Sequence, residues 1–550
     1  MNGDFARFAM QSKEITVAKL LVSAFAANGV KRMFGIPGGG SSLDIIQAAA
    51  DIGIEFVLTR SENSAVMMAA ATAELGGKPG VALMTKGPGI ANAANGVAYA
   101  ALDRAPVIIL TDGFTSEQQK FVSHQVFDQQ ALLSPLVKRF TRLNTETGAS
   151  EITALIELAL TPPFGPIQIE LTGDVARSQV ATSDIKFTVA VAPHATDKVG
   201  VAAAGNMLSD AVRPVVIVGL EARSEAITEP IKAFVEALRC PVLTTYKAKG
   251  VVADSHVQFV GNFTGGAAES ECVTKADLII LCGVDPVELV LQKWRYSVPV
   301  LDIATRHHQP HYTSIDSGLY GSIANHLELL VHHCRQSAWS VGEVAALREQ
   351  MLTALNYSVE DGIGPQQVIT IAERETRARG LNPRITVDAG AHMFSALAFW
   401  RCHEPFDVLI SNGLATMAFA LPAAIAASLH EPDRLVIAVT GDGGLLMCLG
   451  ELLTAVQQQA RIIVIVMNDG SLSLIDIKQQ QREMKSQGVR WNRPDFAQMM
   501  TGFGGRAFRV SDVADFQNAL DAALLEQGPV VIDVLFDPRG YPQQMKALRG

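Results

Sequence analysis

Two oxygen-bearing side chains stand at the ends of two apolar runs. The run Leu435–Thr440 passes into Gly441-Asp442-Gly443-Gly444, and the run Ile462–Met467 ends in Asn468-Asp469-Gly470. Apolar, β-branched runs of this length read as parallel strands buried on both faces. Asp442 and Asn468 then fall just outside the carboxyl ends of neighbouring strands, where open α/β sheets bind ligands. A carboxylate and an amide carbonyl in one crevice suit a hard cation. Mg²⁺ takes oxygen ligands and usually shares them with a diphosphate. The expected metal ligands are Asp442, the side-chain carbonyl of Asn468 and the main-chain carbonyl of Gly470. Gly441, Gly443 and Gly444 would let phosphates approach the backbone at a helix N-terminus. The same residues also read as a strand-to-helix turn that holds no ligand.

Four further segments carry polar or glycine-rich turns between a strand and a helix. Arg60-Ser61-Glu62-Asn63 places an acid at a helix start, where the dipole favours it and where it reads alone as a solvated surface group. Phe34-Gly-Ile-Pro37-Gly38-Gly39-Gly40 and Thr85-Lys86-Gly87-Pro88-Gly89-Ile90-Ala91-Asn92 are tight turns. Asp388-Ala-Gly390-Ala391-His392-Met393 and the run from Ser411-Asn412-Gly413 through Met417 to Pro422 complete the set. A lone Met such as Met417 is ordinarily core filler.

Gly441-Asp442-Gly443, 24 intervening residues (444 to 467) and Asn468 resemble the signature by which thiamine diphosphate (ThDP)-dependent enzymes hold the metal diphosphate. The other segments are similar to the remaining motifs of that superfamily in the same order, across residues of about 16–545, and resemble most its acetolactate synthase branch. The resemblance implies ThDP and Mg²⁺ as cofactors. It implies that Glu62 is the catalytic glutamate that promotes proton removal from C2 of the cofactor. Gly38, Gly390, His392, Asn412 and Gly441 to Gly444 become cofactor-binding positions, and Met417 the bulky residue that holds the cofactor bent. A homodimer is the implied minimum unit and a homotetramer the expected one, with Glu62 serving ThDP held by a neighbouring subunit. Asp469 stands where the family has a second Asn, Ser61 where it often has His, and Lys86 where it has a small residue.

Departures concentrate on positions facing the substrate. His124-Gln125 aligns with the Phe-Gln of acetohydroxyacid synthases, so Gln125 is a candidate donor and His124 a candidate acid–base, the other reading being a histidine of a surface loop. Gly283-Val284-Asp285-Pro286-Val287-Glu288 replaces an Arg-Phe-Asp-Asp-Arg run used for FAD and keto acid, and no GxGxxG fingerprint occurs in that region, so FAD is not expected. Lys478 takes the place of a Trp that selects the second substrate; a cation there suits a carboxylate or sulfonate, unless it is an exposed helix lysine. The implied reaction is cleavage or ligation of a carbon–carbon bond next to a carbonyl, with a 2-oxo acid as donor. An acyloin lyase, a 2-oxo acid decarboxylase, a diketone hydrolase, an FAD-containing pyruvate-oxidase-like enzyme and a silent ThDP-binding regulatory subunit remain as alternatives. Arg306-His307-His308-Gln-Pro-His311 has no acidic or Cys partner at a standard metal-site spacing and reads as a polar loop.

Positioning so many strand ends takes more than one core. A chain of 550 residues divides into about three domains of roughly 150–200 residues. Alternating helix-period stretches and short apolar strands predict three doubly wound α/β domains with parallel sheets. The expected boundaries are 12–185 for a pyrimidine-binding domain, 195–335 for a central domain, 336–363 for a loosely patterned linker and 364–545 for a diphosphate-binding domain. A polar stretch near Pro193–Lys198 marks the first boundary. The net charge of −10 and the lack of a Lys/Arg-dense stripe exclude a general nucleic-acid binder. Six scattered cysteines without a CxxC pair suggest neither a zinc site nor a disulfide framework and fit a cytoplasmic protein. Charges at Asp4, Arg7, Lys13 and Glu14 interrupt any signal-like run near the N-terminus, and no uncharged run approaches a membrane span.

Overall fold

The apolar runs pair side by side into three parallel sheets. The computed structural model describes residues 14–181, 197–289, 293–357, 359 and 361–549. Among these, each of three sheets has six strands, and all neighbouring strands within them are parallel. The N-terminal sheet has the spatial order Glu55–Leu58, Arg32–Ile36, Gly80–Met84, Val107–Asp112, Ile167–Leu171, Phe140–Arg142. In the central sheet the order is Phe259–Asn262, Val242–Thr244, Pro214–Val218, Leu278–Cys282, Val300–Ala304, Ser317–Tyr320. The C-terminal sheet follows Val408–Ile410, Arg384–Val387, Val436–Gly441, Ile462–Asn468, Val530–Leu535, Arg506–Val510. A short antiparallel ribbon, Glu14–Thr16 with Gln179–Ala181, stands apart from them.

In every sheet the chain runs outward in opposite directions from two neighbouring inner strands, the second and third of the N- and C-terminal sheets and the third and fourth of the central sheet. Such a switch point opens a crevice at the carboxyl ends of the strands, because the connections on its two sides leave toward opposite faces. The three crevices lie between Arg32–Ile36 and Gly80–Met84, between Pro214–Val218 and Leu278–Cys282, and between Arg384–Val387 and Val436–Gly441. Fully buried Val, Ile and Leu on the strands form a separate core around each sheet, for example Val81, Ile108 and Ile169, then Val216, Ile280 and Leu301, then Ile437, Ile465 and Ile532.

The described residues form two compact units. One holds the N-terminal sheet with residues 425–431 and 448–458; the other holds the central and C-terminal sheets. The stretch 336–363 is more regular than its sequence suggested. It carries the helix Val341–Leu355, closed by a capping box in which Ser340 and Glu343 bond each other's backbone N–H. Val344, Leu347, Met351 and Leu355 are its buried face. Of the expected boundary stretch 193–198, residues 193–196 lie outside the described residues, and Asp197 caps the helix Lys198–Asp210. The charged N-terminal segment lies outside them up to residue 13. All six cysteines are free, and no helix among the described residues is long and apolar enough to cross a membrane.

Candidate active site

At the switch point of the C-terminal sheet, register brings the first two candidates together. Gly441 pairs with Met467 across adjacent strands, so Asp442 and Asn468 are the next residues on either side. Both are buried. Asn468 is held by its amide, which donates to Asp533 Oδ1 at 2.8 Å and to the Pro494 carbonyl at 2.9 Å. Its Oδ1 is buried with no hydrogen-bond partner. A buried amide oxygen left unpaired is costly unless a ligand completes it.

Asp442 is fixed on both oxygens. Oδ1 accepts the Gly443 N–H at 2.9 Å, and Oδ2 accepts the Gly470 N–H at 2.8 Å and Trp491 Nε1–H at 3.1 Å. Burial, and then the neighbouring Asp469 carboxylate, push its pKa up to about 7. Asp469 is raised as well, chiefly by burial. Two carboxylates confined beside an unpaired amide oxygen form an all-oxygen donor set that a divalent cation would neutralise. Gly470 has φ +73, a left-handed conformation that favours glycine, and its carbonyl already accepts the Trp491 N–H at 2.9 Å. A carbonyl has a second lone pair to offer.

Above this floor opens a cavity of about 1250 Å³, lined among others by Gly390, His392, Asn412, Met417, Gly441 to Gly444, Asp469 and Lys478. His392 begins the helix His392–Phe399 and is buried; its Nε2 makes no hydrogen bond. Burial pushes the ring down to about 4, so it is a neutral imidazole at neutral pH. Met417 is carried by a contorted loop. Ala415 and Ala418 both have positive φ, 54° and 65°, a conformation that costs a non-glycine residue on the order of 1–2 kcal/mol. The loop is pinned by Asp388, whose Oδ1 accepts the N–H groups of Phe419 at 2.6 Å and Ala420 at 2.8 Å while Oδ2 accepts the Thr440 hydroxyl at 2.6 Å. Asn412 donates to the Glu288 carbonyl at 3.2 Å.

Three family models match consecutive parts of the chain: the thiamine pyrophosphate enzyme N-terminal TPP-binding domain over residues 15–132, its central domain over 201–330 and its C-terminal TPP-binding domain over 388–534. The chain belongs to the thiamine pyrophosphate enzyme family. Thiamine pyrophosphate and ThDP are two names of one cofactor. Among its relatives is the acetolactate synthase of Bacillus subtilis (strain 168), 29% identical over 546 residues that cover 94% of this chain and 93% of the relative. The probable acetolactate synthase large subunit of Methanocaldococcus jannaschii is 27% identical, covering 95% and 92%. The catabolic acetolactate synthase of Raoultella terrigena is 28% identical, covering 96% and 97%. These relatives put the chain in the acetolactate synthase branch. The class of chemistry is therefore ThDP-dependent making or breaking of carbon–carbon bonds beside a carbonyl. The unpaired Asn468 oxygen and the two buried acids fit a metal diphosphate.

The first unit carries the other ThDP-family candidates, grouped around the turn that follows Gly80–Met84. Glu62 opens the helix Glu62–Gly76, is 8% exposed, and accepts Asn92 Nδ2–H at 2.6 Å. Gly38 is required by close approach, since a Cβ there would lie 2.3 Å from both Asp112 Oδ2 and Thr85 Oγ1. Gln125, at φ +61, packs on Gly87. Both Gln125 and His124 are exposed in the single chain. Asn92 belongs to a motif visible in the sequence, but its bond to Glu62 is not; Trp491, Asp533 and Glu451 carry no signal in the sequence. Buried Glu451 accepts the Arg60 N–H at 2.9 Å and also bonds Ser61 and Ser64, which fixes the entry to the Glu62 helix. No local spacing announces such a partner, because the two segments are far apart in sequence.

Proposed function

We propose that the protein is an acetolactate synthase-like carboligase that takes a 2-oxo acid as donor, with pyruvate giving 2-acetolactate as the first reaction to assay. Bound ThDP would supply the electron sink for breaking the bond beside the carbonyl. Asp442, Asn468 and Gly470 would hold Mg²⁺ and, through it, the diphosphate. His392 and Asn412 line the cavity that would take it, and Met417 on its pinned loop lines the same cavity. Glu62, with Asn92 orienting its carboxyl group, would supply the acid–base group for the cofactor's pyrimidine ring. His124 and Gln125 serve proton transfer and substrate binding. The observation that carries this reading is the unpaired, buried Asn468 Oδ1 at the strand end next to that of Asp442, with the Asp442 and Asp469 carboxylates lining the large cavity.

A second reading is favoured by the rim of the same cavity. Lys478, on the helix Ser473–Gln481, lines it together with Lys546 and Arg549. Three cations suit a donor or acceptor with an additional carboxylate or sulfonate. In the central crevice the carboxylates of Glu221, Asp285 and Asp302 gather negative charge that disfavours a dinucleotide's diphosphate, which supports a flavin-free enzyme. The domain limits 12–185, 195–335 and 364–545 with a helical linker between, a cytoplasmic location and a homodimer or homotetramer belong to the same reading. In it each active site is completed by Glu62 of a neighbouring subunit.

Glu62→Gln tests the reading. With ThDP and Mg²⁺ saturating, exchange of the C2 proton of bound cofactor, followed by NMR after acid quench, should slow by about 10²–10⁴-fold. Undiminished exchange would sink the assignment. Products from a panel of 2-oxo acids and sulfonated aldehydes, identified by mass, then separate the two substrate readings.

A further inference from the structure

At the switch point of the central sheet, three adjacent strands each deliver one potential metal ligand to the same edge. Glu221 lies in the turn Leu220–Ala222 after Pro214–Val218. Asp285 follows Leu278–Cys282 and caps the turn Pro286–Glu288. His308 follows Val300–Ala304. One ligand atom from each of the three lies within 4.8 Å of the others. His308 is 2% exposed and its Nε2 is 3.3 Å from Glu221 Oε1, yet that nitrogen makes no hydrogen bond. The separation is the edge of a ligand tetrahedron, since bonds of about 2.0–2.1 Å place neighbouring ligand atoms roughly 3.3 Å apart.

The donors are held from behind, as metal ligands are. The second oxygen of Glu221 accepts the Thr305 N–H at 2.8 Å, and Asp285 Oδ1 accepts the Val287 N–H at 3.0 Å. Next to them, His311 Nε2 stands 3.9 Å from Asp302 Oδ2, with the two histidine rings 6.2 Å apart. Buried carboxylates and an unaligned imidazole in one crevice carry a charge imbalance that a cation relieves. A mixed nitrogen and oxygen set of three matches Zn²⁺ better than the all-oxygen preference of Mg²⁺.

We propose that Glu221, Asp285 and His308 form a second metal site, selective for Zn²⁺-like divalent ions, that ties together the carboxyl ends of three strands of the central sheet. The site is independent of the ThDP reading. In it the histidine-rich loop is a ligand-bearing loop whose acidic partners come from the neighbouring strands.

The test uses the full chain saturated with ThDP and Mg²⁺. Titration calorimetry with Zn²⁺ should show one additional site per chain, and Co²⁺ loaded in its place should give the visible absorption bands of a low-symmetry nitrogen and oxygen site. His308→Gln and Glu221→Gln should each weaken Zn²⁺ binding by more than the roughly 10–100-fold that loss of an outer partner costs. Asp442→Asn should leave this Zn²⁺ site unchanged. Zn²⁺ uptake that disappears with Asp442→Asn, uptake undiminished in both ligand variants, or no uptake beyond the Mg²⁺ site would each overturn the proposal. The Co²⁺ spectrum of the unsubstituted chain reads the ligand set directly, so a misfolded variant does not decide the matter.

Discussion

His392 has its charge state decided by burial. Its folded pKa, about 4, lies below the 6.5 of a free imidazole, so the native state binds fewer protons than the unfolded chain as pH falls below 6.5. The stability this group contributes is complete above pH 6.5 and is lost on the way down to pH 4. At pH 5 the loss amounts to about 2 kcal/mol. His392→Gln keeps a polar side chain but removes the titration, so unfolding free energies from urea titrations at pH 7 and pH 5 should differ less in the variant by about that amount. An unchanged pH dependence would mean that the ring keeps its ordinary pKa in the folded protein. Lys478 poses a different question, because it is exposed. Lys478→Met should raise KM for a substrate with a second anionic group about 10-fold and leave kcat nearly constant, since a charge that binds ground and transition states alike acts on KM. Steady-state rates on carboxylated and uncharged acceptors check this, and equal KM changes for both would remove Lys478 from the anion site.

The element that most shapes the cavity is the loop from Ser411 to Phe419, and Asp388 holds it to the end of the strand Val436–Gly441. Removing the carboxylate strands two amides and a hydroxyl in a buried setting. Asp388→Ala should cost about 3 kcal/mol and lower kcat, because the left-handed alanines on either side of Met417 would relax. Thermal unfolding and single-turnover rates measure the two effects separately. Asp388→Asn, which keeps one acceptor for the amides, should recover part of both. The strands themselves were legible in the sequence: Ile462–Met467 and Val530–Leu535 are apolar because both faces of the sheet are covered. Asp442 and Asn468 were legible too, since a strand end fixes their place. Trp491, Asp533 and Glu451 were not, because they reach the site from segments whose spacing carries no code. The same reason hid the partners of His308, which arrive from other strands of the central sheet. The helix Val341–Leu355 was legible in principle from Ser340-x-x-Glu343, a capping box, but a polar surface face diluted its apolar period.

Across the whole molecule, Glu62 and Asp442 belong to different compact units of the chain, so which chain's Glu62 serves which chain's metal site is a question for experiment. The proposed dimer gives a definite answer. If each site takes Glu62 from one subunit and Asp442 from the other, a mixed dimer of one Glu62→Gln chain and one Asp442→Asn chain has one site with both defects and one with none. Either homodimer has a defect in both sites. Refolding the two variants together, each inactive alone, should therefore restore activity to half of the unsubstituted value in the mixed dimers, isolated by tags of two kinds. With Glu62 and Asp442 acting within one chain, every site of the mixed dimer would carry one defect and no activity would return. Sedimentation of the mixed species confirms that dimers formed, so a negative result counts against the shared site and not against the mixing. Recovered activity would also assign the two residues to a single catalytic event, because neither variant contributes an intact site on its own.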